Sequence, residues 1–122
     1  VELSLGSCEP LKENHLSNML RLADILRPTV FSEHLSMTEA QGVEIGQLTP
    51  LAWSKNLADI ISEKIITVQK RLGITFMIEN ISNRFLLPHT ELSETEFINR
   101  ILSNTKCKLL LDITNVFTNS VN

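Results

Sequence analysis

The sequence predicts an α/β fold built on a parallel sheet, and three observations predict it. Runs with strand character alternate with runs of helical period, in the order β-α-β-α-β-α-β. Helices between successive strands rule out hairpin pairing, so the strands run parallel with right-handed crossovers. Two of the strands, ITFMI and KLLL, are continuously apolar, as strands buried on both faces are. An open doubly wound sheet and a (β/α) barrel satisfy this pattern equally.

Each element has a local reason. VELSLGS (1 to 7) alternates Val1, Leu3 and Leu5 with Glu2 and Ser4, which reads as a strand closed by Gly6. From Asn14 to Leu26 the apolar positions Leu16, Met19, Leu20, Ala23 and Leu26 share one helix face, and Arg27-Pro28 stops the helix. TVFSEHLS is the second strand. MTEAQGVEIGQL (37 to 48) has two glycines and no clear period, and is expected to be a long loop. Thr49-Pro50 or Ser54 caps a helix carrying Leu57, Ile60, Ile61, Ile65, Val68 and Leu72, and Gly73 stands where a C-terminal cap glycine belongs. ITFMIEN is the third strand, and ISNRFLLPHTEL (81 to 92) a second long loop. Ser93-Glu94-Thr95-Glu96 is a capping box ahead of Phe97, Ile98, Ile101 and Leu102. CKLLLDI is the fourth strand.

Composition narrows the function classes. The 122 residues suffice for one ordinary domain, and 43% hydrophobic with 20% charged residues reads as globular. A net charge of -3 without a Lys/Arg run argues against nucleic acid. No apolar stretch approaches the ~20 residues of a membrane span, and no signal core opens the chain. Cys8 and Cys107 match no metal or redox spacing, so a reduced, cytoplasmic setting is the expectation. The strand-like opening without a methionine, and a polar TNSVN after the last strand, lead to the expectation of an excerpt from a longer chain.

Three strands end on side chains that can bind a metal or move a proton: Glu33 and His34, Glu79 and Asn80, and Asp112. In parallel α/β sheets ligands gather at these carboxyl ends. An imidazole with two carboxylates is a mixed N/O donor set suited to non-haem iron or manganese, and to zinc less specifically. There is no GxGxxG, P-loop or GxSxG to indicate nucleotide or serine hydrolase chemistry. A carboxylate against FMI needs a partner, whereas Asp112 alone would read as a loop residue or helix cap. His15 and His89 are read as solvent-exposed, Trp53 and Phe97 as packing residues, and Lys64, Lys70 and Arg71 as a solvated helix face.

SEHLS, the helix ending VQKRLG, IEN-S, and the span from LSETEF to LLLDITNV resemble one bacterial family over essentially the whole chain. It is the formerly uncharacterised group of TIM-barrel multinuclear non-haem iron oxidases that includes the iron oxygenase of methanobactin biosynthesis. The resemblance implies that residues 1 to 122 form four parallel βα units, the second to fifth strands of a (β/α)8 barrel, about half of the whole. It implies two or three iron ions at the carboxyl-terminal face, and O2-dependent oxidation of cysteine residues in a ribosomally synthesised peptide, with a partner protein that presents the peptide. By motif, His34, Glu79 and Asp112 become iron ligands. Glu33, Asn80 and Asn115 are expected to stand beside them and support them. Relatives read D-x-N-N where this chain has Thr114, which departs from the motif.

The family pattern also has a histidine before VELSLGS and further His, Asp and Glu ligands on later strands. Without them iron is expected to be absent or partial here, and the piece alone inactive. Two open sheet edges predict self-association. Two other readings compete: a non-catalytic half-barrel that binds a peptide or partner protein, and another metal-dependent TIM-barrel enzyme of the sugar isomerase or endonuclease kind.

Overall fold

The computed structural model describes residues 3–122; Val1 and Glu2 of the expected first strand lie outside them. Helix α1 (Glu13–Leu26) ends where Arg27 turns left-handed at φ 47°, its N–H donating to the Ala23 carbonyl. Helix α2 (Lys55–Leu72) starts under the Ser54 hydroxyl, which accepts from the Leu57 N–H at 3.2 Å. It ends at Gly73, whose φ of 66° suits a residue without a Cβ. Helix α3 (Glu94–Thr105) opens with the Ser93–Glu96 capping box in full. These four helix ends follow the sequence.

The strands β1 (Val30–His34), β4 (Thr75–Glu79) and β5 (Lys108–Leu110) form a parallel sheet in the order β1-β4-β5. Phe31 pairs with Phe76, Glu33 with Ile78 and His34 with Glu79. Alternation then sorts the side chains. Phe31, Glu33, Phe76 and Ile78 lie on the face that joins the helices in one core with Leu16, Ile61, Ile65, Val68 and Ile101. The Phe31 and Phe76 rings stack there with centroids 6.3 Å apart. His34, Met77, Glu79 and Leu110 lie on the opposite, less buried face. Of the helix residues expected to be buried, Leu16, Met19, Ile61, Ile65, Val68, Ile98 and Ile101 are, while Leu20 is half-buried against the core. The architecture is mixed α/β with three parallel strands among the described residues, not four.

Five expectations about particular segments and side chains are corrected. The described part of VELSLGS is not a strand: Ser4 adopts φ 44°, which breaks an extended run. Leu3 and Leu5 are buried nonetheless, and the stretch is held by the Gly6 N–H donating to Ser36 C=O at 2.9 Å and by Ser4 Oγ accepting from Thr38 N–H at 2.9 Å. Residues 37 to 48 are not a loop but most of a hairpin, β2 (Met37–Ala40) and β3 (Val43–Thr49). Its turn is Gln41-Gly42, both at positive φ (51° and 76°), the twist that matches antiparallel strands. A fourth helix, α4 (Ile113–Val121), follows β5 where a polar tail was expected.

The fourth correction concerns Lys64, which is buried rather than solvated. Its Nζ donates to the carbonyls of Leu5 at 3.3 Å and Ser7, fastening the opening segment to α2. Burial lowers its pKa, opposed by the nearby Cys8 and Glu9. The fifth concerns His15, which is half-buried rather than solvent-exposed, whereas His89 is exposed as expected. No helix among the described residues is long and apolar enough to cross a membrane.

A Cβ on Gly6 would lie 2.2 Å from Leu51 Cδ2, and Leu51 is itself buried. Gly6→Ala should therefore destabilise the fold by about 1–3 kcal/mol, read from the midpoint of urea unfolding with the slope unchanged.

Acid should weaken the fold as well. Hydrogen bonds hold four carboxyls below their ordinary values: Glu9 from Ser7, Glu13 from Arg71, Asp59 from Arg100, and Glu96 from the Ser93 backbone. A folded pKa below the unfolded one means that the unfolded chain binds more protons in acid. The stabilisation is thus complete above the unfolded values of 4.5 for Glu and 3.8 for Asp, and is lost as pH falls through the lower folded values. Urea titrations at stepped pH should show that loss, and Asp59→Asn should flatten it.

Candidate functional site

The candidate site begins with the register of two strands. Because His34 is the parallel partner of Glu79, their side chains leave the same face at the carboxyl end of the sheet. His34 Nε2 lies 3.8 Å from Glu79 Oε2, and the two side chains are 28% and 20% exposed, open to an incoming ligand. The Leu35 N–H donates to the Glu79 carbonyl at 2.8 Å, so the pairing continues one step past the last strand residue.

Asp112 takes a different position. It caps α4, with Oδ1 accepting from the N–H groups of Thr114 at 2.8 Å and Asn115 at 3.1 Å. Both bonds use the same oxygen. The helix cap of the bland sequence reading is thus present, on the same end of the sheet as His34 and Glu79. No group of three or more His, Cys, Asp or Glu side chains placed to hold one metal ion occurs among the described residues. The structure brings His34 and Glu79 together and does not add Asp112 as a third member.

Asn80 joins the two parts. It is 2% exposed, and its amide meets the Asp112 backbone twice: Oδ1 accepts the Asp112 N–H at 2.8 Å and Nδ2 donates to the Asp112 carbonyl at 3.0 Å. A carboxamide carries the donor and acceptor of a peptide group, so it can prolong a strand ladder sideways. Asn115 completes the clamp, donating from Nδ2 to the Asn80 carbonyl at 2.9 Å. Thr114, the departure from the family motif, contributes its backbone N–H while its side chain is exposed. Glu33 faces the other way, into the core. It is 3% exposed and accepts from the His34 N–H at 3.1 Å and more distantly from Leu3 N–H at 3.5 Å.

Sequence reasoning missed a second set of amides. Asn119 Oδ1 accepts from the Asn83 N–H at 2.6 Å, and its Nδ2 donates to Ile81 C=O at 3.0 Å and Glu94 Oε2 at 3.3 Å. These bonds dock α4 on the segment after β4. The available signal was Asp112 followed by Asn115 and Asn119 at helical spacing.

Asn80→Ala should remove two bonds and leave the Asp112 N–H without a partner, while the Asp112 carbonyl keeps the Val116 N–H; the cost should be about 1–3 kcal/mol. Urea unfolding followed by circular dichroism should show the lower midpoint.

The whole chain, residues 1–122, matches the family described as RiPP precursor modification enzyme MbnB/TglH/ChrH. It is 36% identical over 122 residues to a UPF0276 protein of Acaryochloris marina, covering 100% of this chain and 44% of that relative. It is 34% identical to a UPF0276 protein of Psychromonas ingrahamii and to one of Vibrio parahaemolyticus, covering 43% and 42% of them. The chain thus spans less than half the length of these curated relatives. With its full length matched by the family, the chain belongs to the RiPP precursor modification enzymes MbnB/TglH/ChrH.

Proposed function

We propose that this chain supplies part of the active face of an iron-dependent oxidase that modifies cysteine residues of a ribosomally synthesised peptide. The observation that carries the reading is the His34–Glu79 pair, 3.8 Å apart on the less buried face at the carboxyl end of the sheet. Family membership supports a peptide substrate. In this reading residues 1–122 are part of a TIM barrel whose further strands bring further ligands, and the site works at that greater length.

The donor chemistry fits iron. One imidazole and one carboxylate, with no thiolate beside them, form the N/O set that iron accepts. His34 and Glu79 would hold the ion, and Asp112 would join through the carboxylate oxygen not engaged at the α4 cap. Bound iron, two or three ions in the family, supplies the means of using O2 on a thiol. The chain's own residues do the positioning. The β1–β4 register fixes the spacing of His34 and Glu79, while Asn80 and Asn115 fix Asp112 against β4. Glu33 supports from behind, through its bond to the His34 N–H. A cytoplasmic setting and a peptide-presenting partner protein belong to the same reading.

Metal analysis of the whole protein carrying this sequence tests it. Iron should co-purify, and His34→Ala and Glu79→Gln should each lower iron per protein by at least about half, because a lost ligand weakens a site of few donors. Peptide mass spectrometry should show loss of cysteine modification in parallel. Unchanged iron in both variants would remove these residues from the centre. A protein without metal that still bound peptide would favour the non-catalytic half-barrel.

A further inference from the structure

A groove is built from two segments, the end of the β2–β3 hairpin and the stretch that follows β4. One is the last part of β3, Gln47 to Thr49, and the other is the stretch Ile81 to Phe85 after β4; between them lies a cavity of 320 Å³. We infer that this groove binds an extended peptide segment that carries a carboxylate. The inference rests on the proposed peptide substrate and names where that peptide lies and what side chain it presents.

Three features define the occupant. Thr49, in the groove wall, has a buried Oγ1 that makes no hydrogen bond, the only such side-chain atom found among the described residues. Buried polar atoms are nearly always paired, and a hydroxyl can both donate and accept, which matches a peptide group. Next, the hairpin register pairs Met37 with Thr49 and Glu39 with Glu44, so Ile45 to Leu48 stand opposite Thr38 alone. A bulge takes residues of a strand out of the ladder with its partner, and backbone outside its ladder is a template for an added strand.

Arg84 supplies the charge selection. Arg71 and Arg100 are each paired with a carboxylate, Glu13 and Asp59 at 2.8 Å. Arg84, which lines the groove and is exposed, makes no ion pair among the described residues. Beside it Phe85, 56% exposed, offers an apolar surface. A single guanidinium with one hydroxyl, one aromatic ring and bulged strand backbone does not suit a polyphosphate, which takes several N–H groups or cations. It suits a peptide with one acidic side chain.

The test uses the whole, metal-free protein and three fluorescent octapeptide pools, randomised except for one fixed Glu, Gln or Lys, with binding read by polarisation. The Glu pool should bind about fivefold tighter than the Gln pool, the size of one partly exposed ion pair. Arg84→Glu should reverse the order in favour of Lys, with Arg84→Gln abolishing the preference. Thr49→Val should weaken the Glu and Gln pools alike by about threefold to tenfold, the effect of one hydrogen bond. Equal binding of the three pools, a Glu preference that survives both Arg84 variants, or unchanged binding by Thr49→Val would each overturn the inference. Because no iron is present, a failed iron assignment leaves this result standing. Conversely, iron content and cysteine modification that stay intact in Arg84→Glu, with no change in peptide KM, would sink the groove alone.

Discussion

The parallel pairing of β1 with β4 is the constraint on which the remainder depends. A single register sets Phe31 on Phe76 for the core and His34 beside Glu79 for the opposite face. A slip of β1 by one residue would turn that strand over, placing His34 among the helix-packed side chains and Phe31 against the opposite face. Fold and site are therefore not separable here. The apolar energy that locks the register, from Phe76 and Ile78 buried at 1% and 0% exposure, is what sets the imidazole and carboxylate at their separation.

Beyond the last strand residues the sheet is continued by side chains. Asn80 substitutes its carboxamide for a peptide group and grips Asp112, which in turn caps α4. An aspartate that caps a helix has a fixed direction, since its Oδ1 meets two backbone N–H groups. The same carboxylate is thus both a structural cap and a candidate ligand. These roles are compatible because the cap occupies one oxygen.

Much of this was legible from residues alone, and the failures have physical causes. Helices α1, α2 and α3 were readable because apolar period and end signals agreed, as at Ser54 and Gly73 of α2. The hairpin was missed because Gln41-Gly42 is a weaker turn signal than Asn-Gly, and because Gly46 and the bulge blur the alternation of β3. Helix α4 was missed because ITNVFTNSV is rich in β-branched residues and asparagine, poor helix formers in isolation. Tertiary bonds from Asn115 and Asn119 overrode that propensity. VELSLGS shows the reverse case. Its alternation correctly marks Leu3 and Leu5 as buried, yet burial alone does not make a strand when Ser4 is left-handed. At the site, the adjacency of His34 and Glu79 followed from parallel strands, whereas the orientation of Asp112 depended on a helix the pattern did not reveal.

Helix α4 also carries an inverted amphipathic arrangement. Its polar residues Asn115 and Asn119 face the chain and hold the segment after β4, while Ile113, Phe117 and Val121 are 74%, 67% and 67% exposed. Hydrophobic residues gathered on one exposed helix face mark a surface that another layer covers. The amides explain why the helix keeps its place without that layer: each bond is local to β4, its following segment or α3, and none requires the apolar side to be buried. This division gives the carboxyl-end residues their independence. Asn80, Asp112 and α4 are fixed from the polar side, by bonds in which the apolar side takes no part.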